Sequence, residues 1–512
     1  MAFDVIIRGG RVLDGTGAPA FRADVAISGD RIAALGRLEG AEAAVEVQAA
    51  GRFVAPGFID CHAHGDAAVF DPRVQLAALR QGVTTFVLGQ DGLSFAPGSA
   101  RTVAYAARYF AAVNGSPPRD APLTVGDLLA AYDRATALNT AYLIPHGTVR
   151  YEVMGPSPQA PSPEELRRML RLVEQGLADG AAGLSSGLEY LPGRHATAAE
   201  LAALCAPLGR LPYVTHMRAY GERAGIGMAE VVEIARRSGA AMHVSHLHGP
   251  ADVLLPLVED ALARDVDLTF DTYPYLRGST ILAMVVLPES VPAAEVDRAL
   301  EVLESDRLDD WWPTLAGLWP RLTISHAPGY GWAEGMGMVA AAERAQMEPA
   351  EFCRRLLIDT RLEAGVVSAR PDEGPAGEES VRRILRHPSH TGGSDGIYVG
   401  GHPHPRGWGA FARFLGRHVR ELGDWSWEQA VVHLASHPAR RFGLDDRGLV
   451  RPGCVADLIV FDPVTVADLA TYAAPRTPAT GVGEVFVSGE RVLSAGALTG
   501  ARAGRALRPG GG

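Results

Sequence analysis

Hydrophobic and polar positions change their period along this chain. Near the N-terminus, short alternating runs at 4–8, 11–13, 23–28 and 31–35 are broken by Gly9-Gly10, Asp14-Gly15-Thr16-Gly17 and Gly29-Asp30. Alternation bounded by glycine turns predicts hairpin strands. The same texture returns at 456–463 and 485–492. Residues 1–56 and 450–495 are therefore expected to build one small β domain, with 496–512 as a tail whose tip, 509–512, is mobile.

Between the two ends, residues 57–449 alternate apolar runs with helical stretches. Eight runs read as strands: 57–64, 84–90, 141–146, 181–189, 212–218, 241–248, 266–275 and 391–396. Helical periodicity fills 163–179, 227–238 and 251–264. Strand–helix alternation makes the strands parallel, and eight such units predict an α/β fold of the (β/α)8 barrel type. The stretch from Tyr275 to Ser394 is far longer than one crossover helix needs. An insertion is expected there, over about 282–375, with the strand-like run 321–326 inside it.

Composition narrows the chemistry. The chain of 512 residues is 47% hydrophobic, which fits a packed globular protein. No apolar run reaches the ~18 residues of a membrane-spanning helix, and the start lacks the basic-then-apolar layout of a signal peptide. The net charge of −11 comes with no basic stripe, so no nucleic-acid partner is expected. Cys61, Cys205, Cys353 and Cys454 are widely spaced. Free thiols and a cytoplasmic location follow as expectations. All 48 basic residues are arginine. A Schiff-base lysine, a P-loop lysine and a lysine-derived metal bridge are thereby excluded.

Catalytic groups of such barrels sit at the C-terminal ends of the strands, and polar residues collect at those places. His62 and His64 end strand 1, Asp91 follows strand 2, and His146 ends strand 3. Glu189 and Tyr190 follow strand 4, His216 ends strand 5, and His246 and His248 end strand 6. Asp271 and Tyr273 end strand 7, and Asp395 ends strand 8. Residues two apart on a strand share a face, so an H-x-H pair can grip one transition metal. So many histidines and aspartates at the strand ends of one barrel predict a metal site.

These residues carry a resemblance. The runs Phe58-Ile59-Asp60-Cys61-His62-Ala63-His64, Thr215-His216-Met217-Arg218, Ser245-His246, Asp271-Thr272-Tyr273-Pro274-Tyr275, Gly278-Ser279-Thr280, Ser394-Asp395-Gly396 and His404-Pro405-Arg406-Gly407-Trp408-Gly409 resemble the D-aminoacylase (N-acyl-D-amino-acid deacylase) family of the amidohydrolase superfamily. The likeness runs over nearly the whole chain. It implies a zinc enzyme with one or two divalent ions and a β-sandwich built from residues 1–56 and 450–495. His216 and His246 match ligands of the tighter ion, and His62 and His64 match a second site. Asp395 matches the catalytic acid/base and also reaches the metal. A cysteine in the family falls on Asp91, a harder carboxylate that can span two ions. Glu189 is a rival bridge.

The resemblance also implies a small-molecule amide substrate bearing a carboxylate. Arg406 matches the arginine that grips it, Tyr273 a tyrosine and Ser279 a hydroxyl. The family's lysine is replaced by His248, which weakens the carboxylate clamp, so an N-acyl-D-amino acid gripped differently and an amide without that carboxylate both stay open. Tyr190 either lines the acyl pocket or packs, and His146 either donates to an oxyanion or is structural. A divalent metal lowers the pKa of its water from 15.7 to about 7, and Asp395 would then act as general base and general acid. Hydrolysis of N-acyl-D-amino acids or related linear amides is the leading expectation. Opening of a cyclic amide or imide, and a catalytically inactive binding protein, are the alternatives.

Overall fold

Strand Phe3–Val12 is the hub of the terminal sheet. It runs antiparallel to Phe21–Ser28 and parallel to two others, Ala43–Gln48 along its first half and Phe53–Pro56 at its end. The change of partner falls at a register shift between Ile7 and Gly10, where Gly9 takes φ +65°. Phe53–Pro56 then pairs antiparallel with Leu458–Phe461 from the far end of the chain, which pairs with Val482–Val487. Both termini thus share one nine-stranded sheet. Period-two alternation sorts its side chains. Val54, Leu458, Val460 and Phe486 meet Val5, Ile7 and Val25 in a core of their own. Phe53, Ala55, Ile459, Phe461 and Val485 face the barrel core instead.

This computed structural model describes residues 3–117 and 123–510. Eight parallel strands form the barrel. In order they are Phe58–Asp60 continued by Ala63–His64, Val83–Leu88, Asn139–Tyr142 continued by Ile144–Pro145, Leu184–Gly187, Pro212–His216, Ala241–Val244, Leu268–Thr272, and His390–Gly392 continued by Gly396–Ile397. Adjacent strands pair in parallel. The ring closes where the Cys61 N–H donates to the Gly392 carbonyl (3.2 Å) and Gly396–Ile397 pairs with Ala63–His64. All eight runs read from the sequence carry a barrel strand, and runs such as 181–189 and 241–248 outlast their strands, Leu184–Gly187 and Ala241–Val244, because the residues at the C-terminal ends turn out of the ladder to form the mouth.

Helix Pro163–Asp179 shows how local signals and packing agree. Ser162 and Glu165 form a capping box, Pro163 opens the first turn, and Gly180 in the left-handed region ends it. Its buried residues Met169, Val173 and Gly176 recur at helical spacing.

The insertion differs from expectation at its start. Its sheet is antiparallel, made of Arg277–Ile281, Gly365–Ala369 and Leu322–His326. It therefore begins at Arg277, and the Gly278-Ser279-Thr280 run is its first strand. Helices Val296–Leu303 and Pro349–Asp359 help to close a separate core around Leu303, Trp312, Ile324 and Leu356.

The tail also departs from expectation. Ala497–Leu498 adds the sheet's last strand, and beyond it Thr140 N–H donates to Arg505 O (2.9 Å) while Leu507 N–H donates to Thr140 O (2.7 Å). Leu507 is buried. The segment is seated because barrel strand 3 offers it free backbone groups. Of the expected mobile tip, Gly510 donates to Gly443 O (3.3 Å), and Gly511 and Gly512 lie outside the described residues. The four cysteines are free and buried. No helix among the described residues is long and apolar enough to cross a membrane.

Candidate metal centre

Asp91 is the shared corner of two donor triads, one with His62 and His64, the other with His216 and His246. Its carboxylate oxygens lie 3.5 Å from His62 Nε2, 3.6 Å from His64 Nε2, 3.5 Å from His216 Nδ1 and 3.6 Å from His246 Nε2. His216 Nδ1 and His246 Nε2 are 3.0 Å apart. A tetrahedral ion with ligand bonds of 2.0–2.1 Å holds its donors about 3.3 Å from one another. The spacing found here is thus that of coordination edges. His62 Nε2 and Asp91 Oδ1 are buried with no hydrogen-bond partner, a costly state unless a cation satisfies them. The donor set fits one or two divalent ions.

Backbone strain places these donors. Asp91, His246 and Asp395 all take left-handed φ, +55°, +35° and +51°, a conformation that L residues adopt only when their surroundings impose it. Gly89 and Gly92 make the turn around Asp91 possible. A Cβ on Gly89 would stand 2.2 Å from Leu143 O, and one on Gly92 2.6 Å from Gly187 N.

The far nitrogens are tied down. His64 Nδ1–H donates to Asn114 Oδ1 (3.2 Å), and the Asn114 amide is oriented by donating to Leu93 O (2.8 Å). His216 Nε2 lies 2.9 Å from Glu189 Oε2. His62 Nδ1 lies 3.4 Å from Asp271 Oδ2, and Asp271 Oδ1 accepts from the His246 backbone N–H (2.9 Å). Such partners fix ring orientation and leave the other nitrogen for a metal.

Charge in the metal-free cluster is carried by protons. Burial opposes ionisation of Asp91, but His62 and His216 outweigh it and hold the carboxyl well below its usual range. Burial also lowers His64 and His216, yet Asp395 and Asp91 raise His64 to about 10, and Asp91 and Glu189 raise His216 to about 10. A cation bound among these groups takes over the charge of those protons.

Asp395 joins the cluster to an arginine. Its Oδ1 lies 3.3 Å from His64 Nε2 and 3.7 Å from His62 Nε2, and its Oδ2 lies 2.7 Å from Arg406 Nη1. Arg406 is fully buried, donates from Nη2 to Ser279 O (3.3 Å) and lies over the Tyr273 ring at 4.6 Å. Its charge is engaged by Asp395. The cluster opens into a cavity of about 500 Å³ whose lining includes Tyr190, Tyr273, Ser279 and His248. Tyr190 O–H shares a hydrogen bond with Thr280 Oγ1 (2.8 Å), so it both packs and lines. His248 Nδ1–H donates to His246 O (2.8 Å), and burial and Arg370 push it well below 6.5. It is a neutral ring, not a stand-in for an ammonium group.

Two sequence candidates take other places. His146 opens helix His146–Met154 and turns away to Glu200, 2.9 Å from its Nε2, in a buried network with Arg150. It does not reach the cavity as an oxyanion donor, because the backbone leaves the strand at Pro145. Glu189 backs His216 from behind and does not lie between the triads. Another donor group, Cys61, His243 and Asp271, lies beneath the site. The Cys61 thiol donates to Gly392 O (3.0 Å) and burial pushes its pKa up, so it is no thiolate ligand. Sequence reading missed Asn114, Tyr220 and Arg370. Tyr220 stacks on His248, with ring centroids 4.6 Å apart. Only the cluster's three-dimensional neighbourhood identifies them.

The amidohydrolase family matches residues 45–493. The chain belongs to the amidohydrolase family. A D-aminoacylase of Alcaligenes xylosoxydans xylosoxydans is 36% identical over 99% of this chain and 97% of its own. An N-acyl-D-glutamate deacylase from Bordetella bronchiseptica, solved with zinc and a phosphonate mimic of the tetrahedral intermediate, superposes with a TM-score of 0.84 at 33% identity, covering 99% of this chain and 100% of that one. A D-aminoacylase whose binuclear metal centre has been studied gives 0.83 at 34% identity, covering 99% and 100%. This amidohydrolase thus has the TIM-barrel fold and acts on non-peptide carbon–nitrogen bonds.

Proposed function

We propose that this amidohydrolase hydrolyses the amide bond of N-acyl-D-amino acids, with zinc as its metal. The observation that carries the reading is the position of Asp395, between the histidine–aspartate cluster on one side and Arg406 on the other, at the floor of a 500 Å³ cavity. Asp91, His216 and His246 would hold one ion, and His62 and His64 with Asp91 a second. The metal, when bound, supplies a hydroxide at neutral pH and polarises the amide carbonyl.

The side chains do the rest. Arg406 keeps Asp395 ionised against the cost of burial and aims Oδ1 at the cluster. From there Asp395 accepts the proton of the attacking water and returns it to the departing amine. Tyr273 and Ser279 on the cavity wall position the substrate. The relatives over the whole chain, a D-aminoacylase and an N-acyl-D-glutamate deacylase, support an acylated D-amino acid as substrate.

The test is a panel on zinc-loaded protein: N-acetyl- and N-formyl-D-amino acids and their L-enantiomers, against hydantoin, dihydroorotate and lactams. Hydrolysis of the acylated D-amino acids is expected. Hydrolysis of the rings alone overturns the reading in favour of a cyclic amidase.

A further inference from the structure

Arg370 is a buried cation without an anion. It is 9% exposed, lines the cavity of the metal centre, and makes no side-chain hydrogen bond or ion pair among the described residues. Its Nε and Nη2 are enclosed with no acceptor. Those two nitrogens carry the parallel N–H bonds of the guanidinium fork, the pair that matches the two oxygens of a carboxylate. A desolvated, unpaired guanidinium is costly, so this one is held for a ligand that brings the charge.

The fold holds it there. Arg370 directly follows strand Gly365–Ala369 of the insertion, and its N–H donates to the carbonyl of Leu276, on the segment leaving barrel strand 7 (3.0 Å). This hangs the side chain over the barrel mouth, on the Tyr273 ring at 5.5 Å; Arg406 lies on the same ring at 4.6 Å. The two arginines differ in one respect. Arg406 has Asp395 at 2.7 Å and Arg370 has no carboxylate. Among other arginines on the cavity wall, Arg321 donates twice to Ala369 O and Arg223 is exposed. Asp372 and Glu222 also line the wall and neither pairs with Arg370.

We propose that Arg370 is the specificity residue that receives a substrate carboxylate in this pocket. The inference rests on the reading of the site as an N-acyl-amino-acid hydrolase. The carboxylate has two possible sources, the α-carboxylate of the amino acid or an acidic side chain.

Steady-state kinetics of zinc-loaded wild type, Arg370→Gln and Arg370→Lys separate them. The substrates are N-acetyl-D-alanine and its α-carboxamide, and N-acetyl-D-glutamate and N-acetyl-D-glutamine. Loss of a charge-assisted pair predicts a rise in KM of about tenfold to a hundredfold for the charged substrate in Arg370→Gln, with kcat falling far less. Arg370→Lys recovers part of it, since the charge remains and the fork does not. A penalty that disappears with the α-carboxamide assigns the α-carboxylate; one confined to glutamate assigns the side chain. Equal change, or no change, for charged and neutral partners overturns the proposal while leaving the hydrolase reading intact. Should wild type hydrolyse no N-acyl amino acid, that reading fails, and calorimetry with glutarate decides the inference. Binding weakened tenfold or more in Arg370→Gln supports it, and equal or absent binding to wild type overturns it.

Discussion

Asp395 divides its carboxylate between two partners: Oδ2 lies 2.7 Å from Arg406 Nη1, and Oδ1 lies 3.3 Å from His64 Nε2. One oxygen is anchored and the other is presented to the metal cluster. A carboxylate so placed transfers protons but is one donor among several for a metal. Asp395→Asn keeps the shape and removes the base. Turnover should fall by about 10²–10⁴-fold, with zinc content by elemental analysis close to wild type. Loss of zinc along with activity would show Asp395 to be chiefly a ligand.

Arg406 acts on the pH profile through that pair. Burial raises the Asp395 pKa, and Arg406, the foremost of the opposing groups, brings it below its usual value. Removing the guanidinium lets the pKa rise, so the ionised base is lost at a higher pH than before. In Arg406→Gln the acidic limb of kcat/KM should therefore move to higher pH, with kcat reduced. A steep rise in KM over an unmoved limb would instead give Arg406 to the substrate carboxylate.

Asp91 stands at the corner shared by both triads. A carboxylate with two oxygens can serve two ions, whereas a thiolate favours a single soft site. Asp91→Cys should lower the zinc bound per chain after dialysis from near two toward one, and tighten the ion that remains. Unchanged stoichiometry would mean that the second triad fills without the carboxylate.

Metal binding should release protons. In the metal-free cluster His64 and His216 remain protonated up to about 10, and only a neutral imidazole ligates. Apparent zinc affinity should rise as pH is raised from 6 toward 9. Calorimetry in two buffers of different ionisation enthalpy should report proton release per ion at pH 7. Equal heats in both buffers would mean that the rings are already neutral.

The barrel was legible in the sequence because its strands are short apolar runs and its chemistry sits at their ends. His62, His64, Asp91, His216, His246 and Asp395 stood out by their places at strand ends together with the family resemblance, and the structure brings all six together. Two roles were not legible, that of His146, left open between oxyanion donor and structural residue, and that of Arg370. His146 also sits at a strand end, but its orientation depends on Glu200, 54 positions away, a pairing that no local pattern records. Arg370 lies inside the insertion, whose strands have the wrong topology for the barrel. Only the antiparallel pairing of 365–369 with 277–281 carries it to the mouth. The seating of the tail was not legible for a similar reason: the backbone of Thr140, far away in sequence, supplies the hydrogen bonds that hold it.

Asp271 gives the last prediction. It touches three histidines without standing among the cavity residues: Oδ2 lies 3.4 Å from His62 Nδ1 and 3.1 Å from His243 Nε2, and Oδ1 accepts the His246 N–H. His62 and His246 belong to different triads, so one carboxylate orients a ligand of each ion. Burial favours its neutral form, but His62 and His243 hold its carboxyl lowered, so it is an anion supporting two rings. Outer partners of this kind are worth about 10–100-fold in metal affinity. Asp271→Asn should weaken zinc binding by that factor at both sites together, measured by competition with a chelator, and excess zinc should restore most of kcat. Weakening confined to one ion would show that the His246 backbone contact, or the His62 ring contact, carries no coordination energy. A loss of kcat that excess zinc does not restore would place Asp271 in the proton transfer itself.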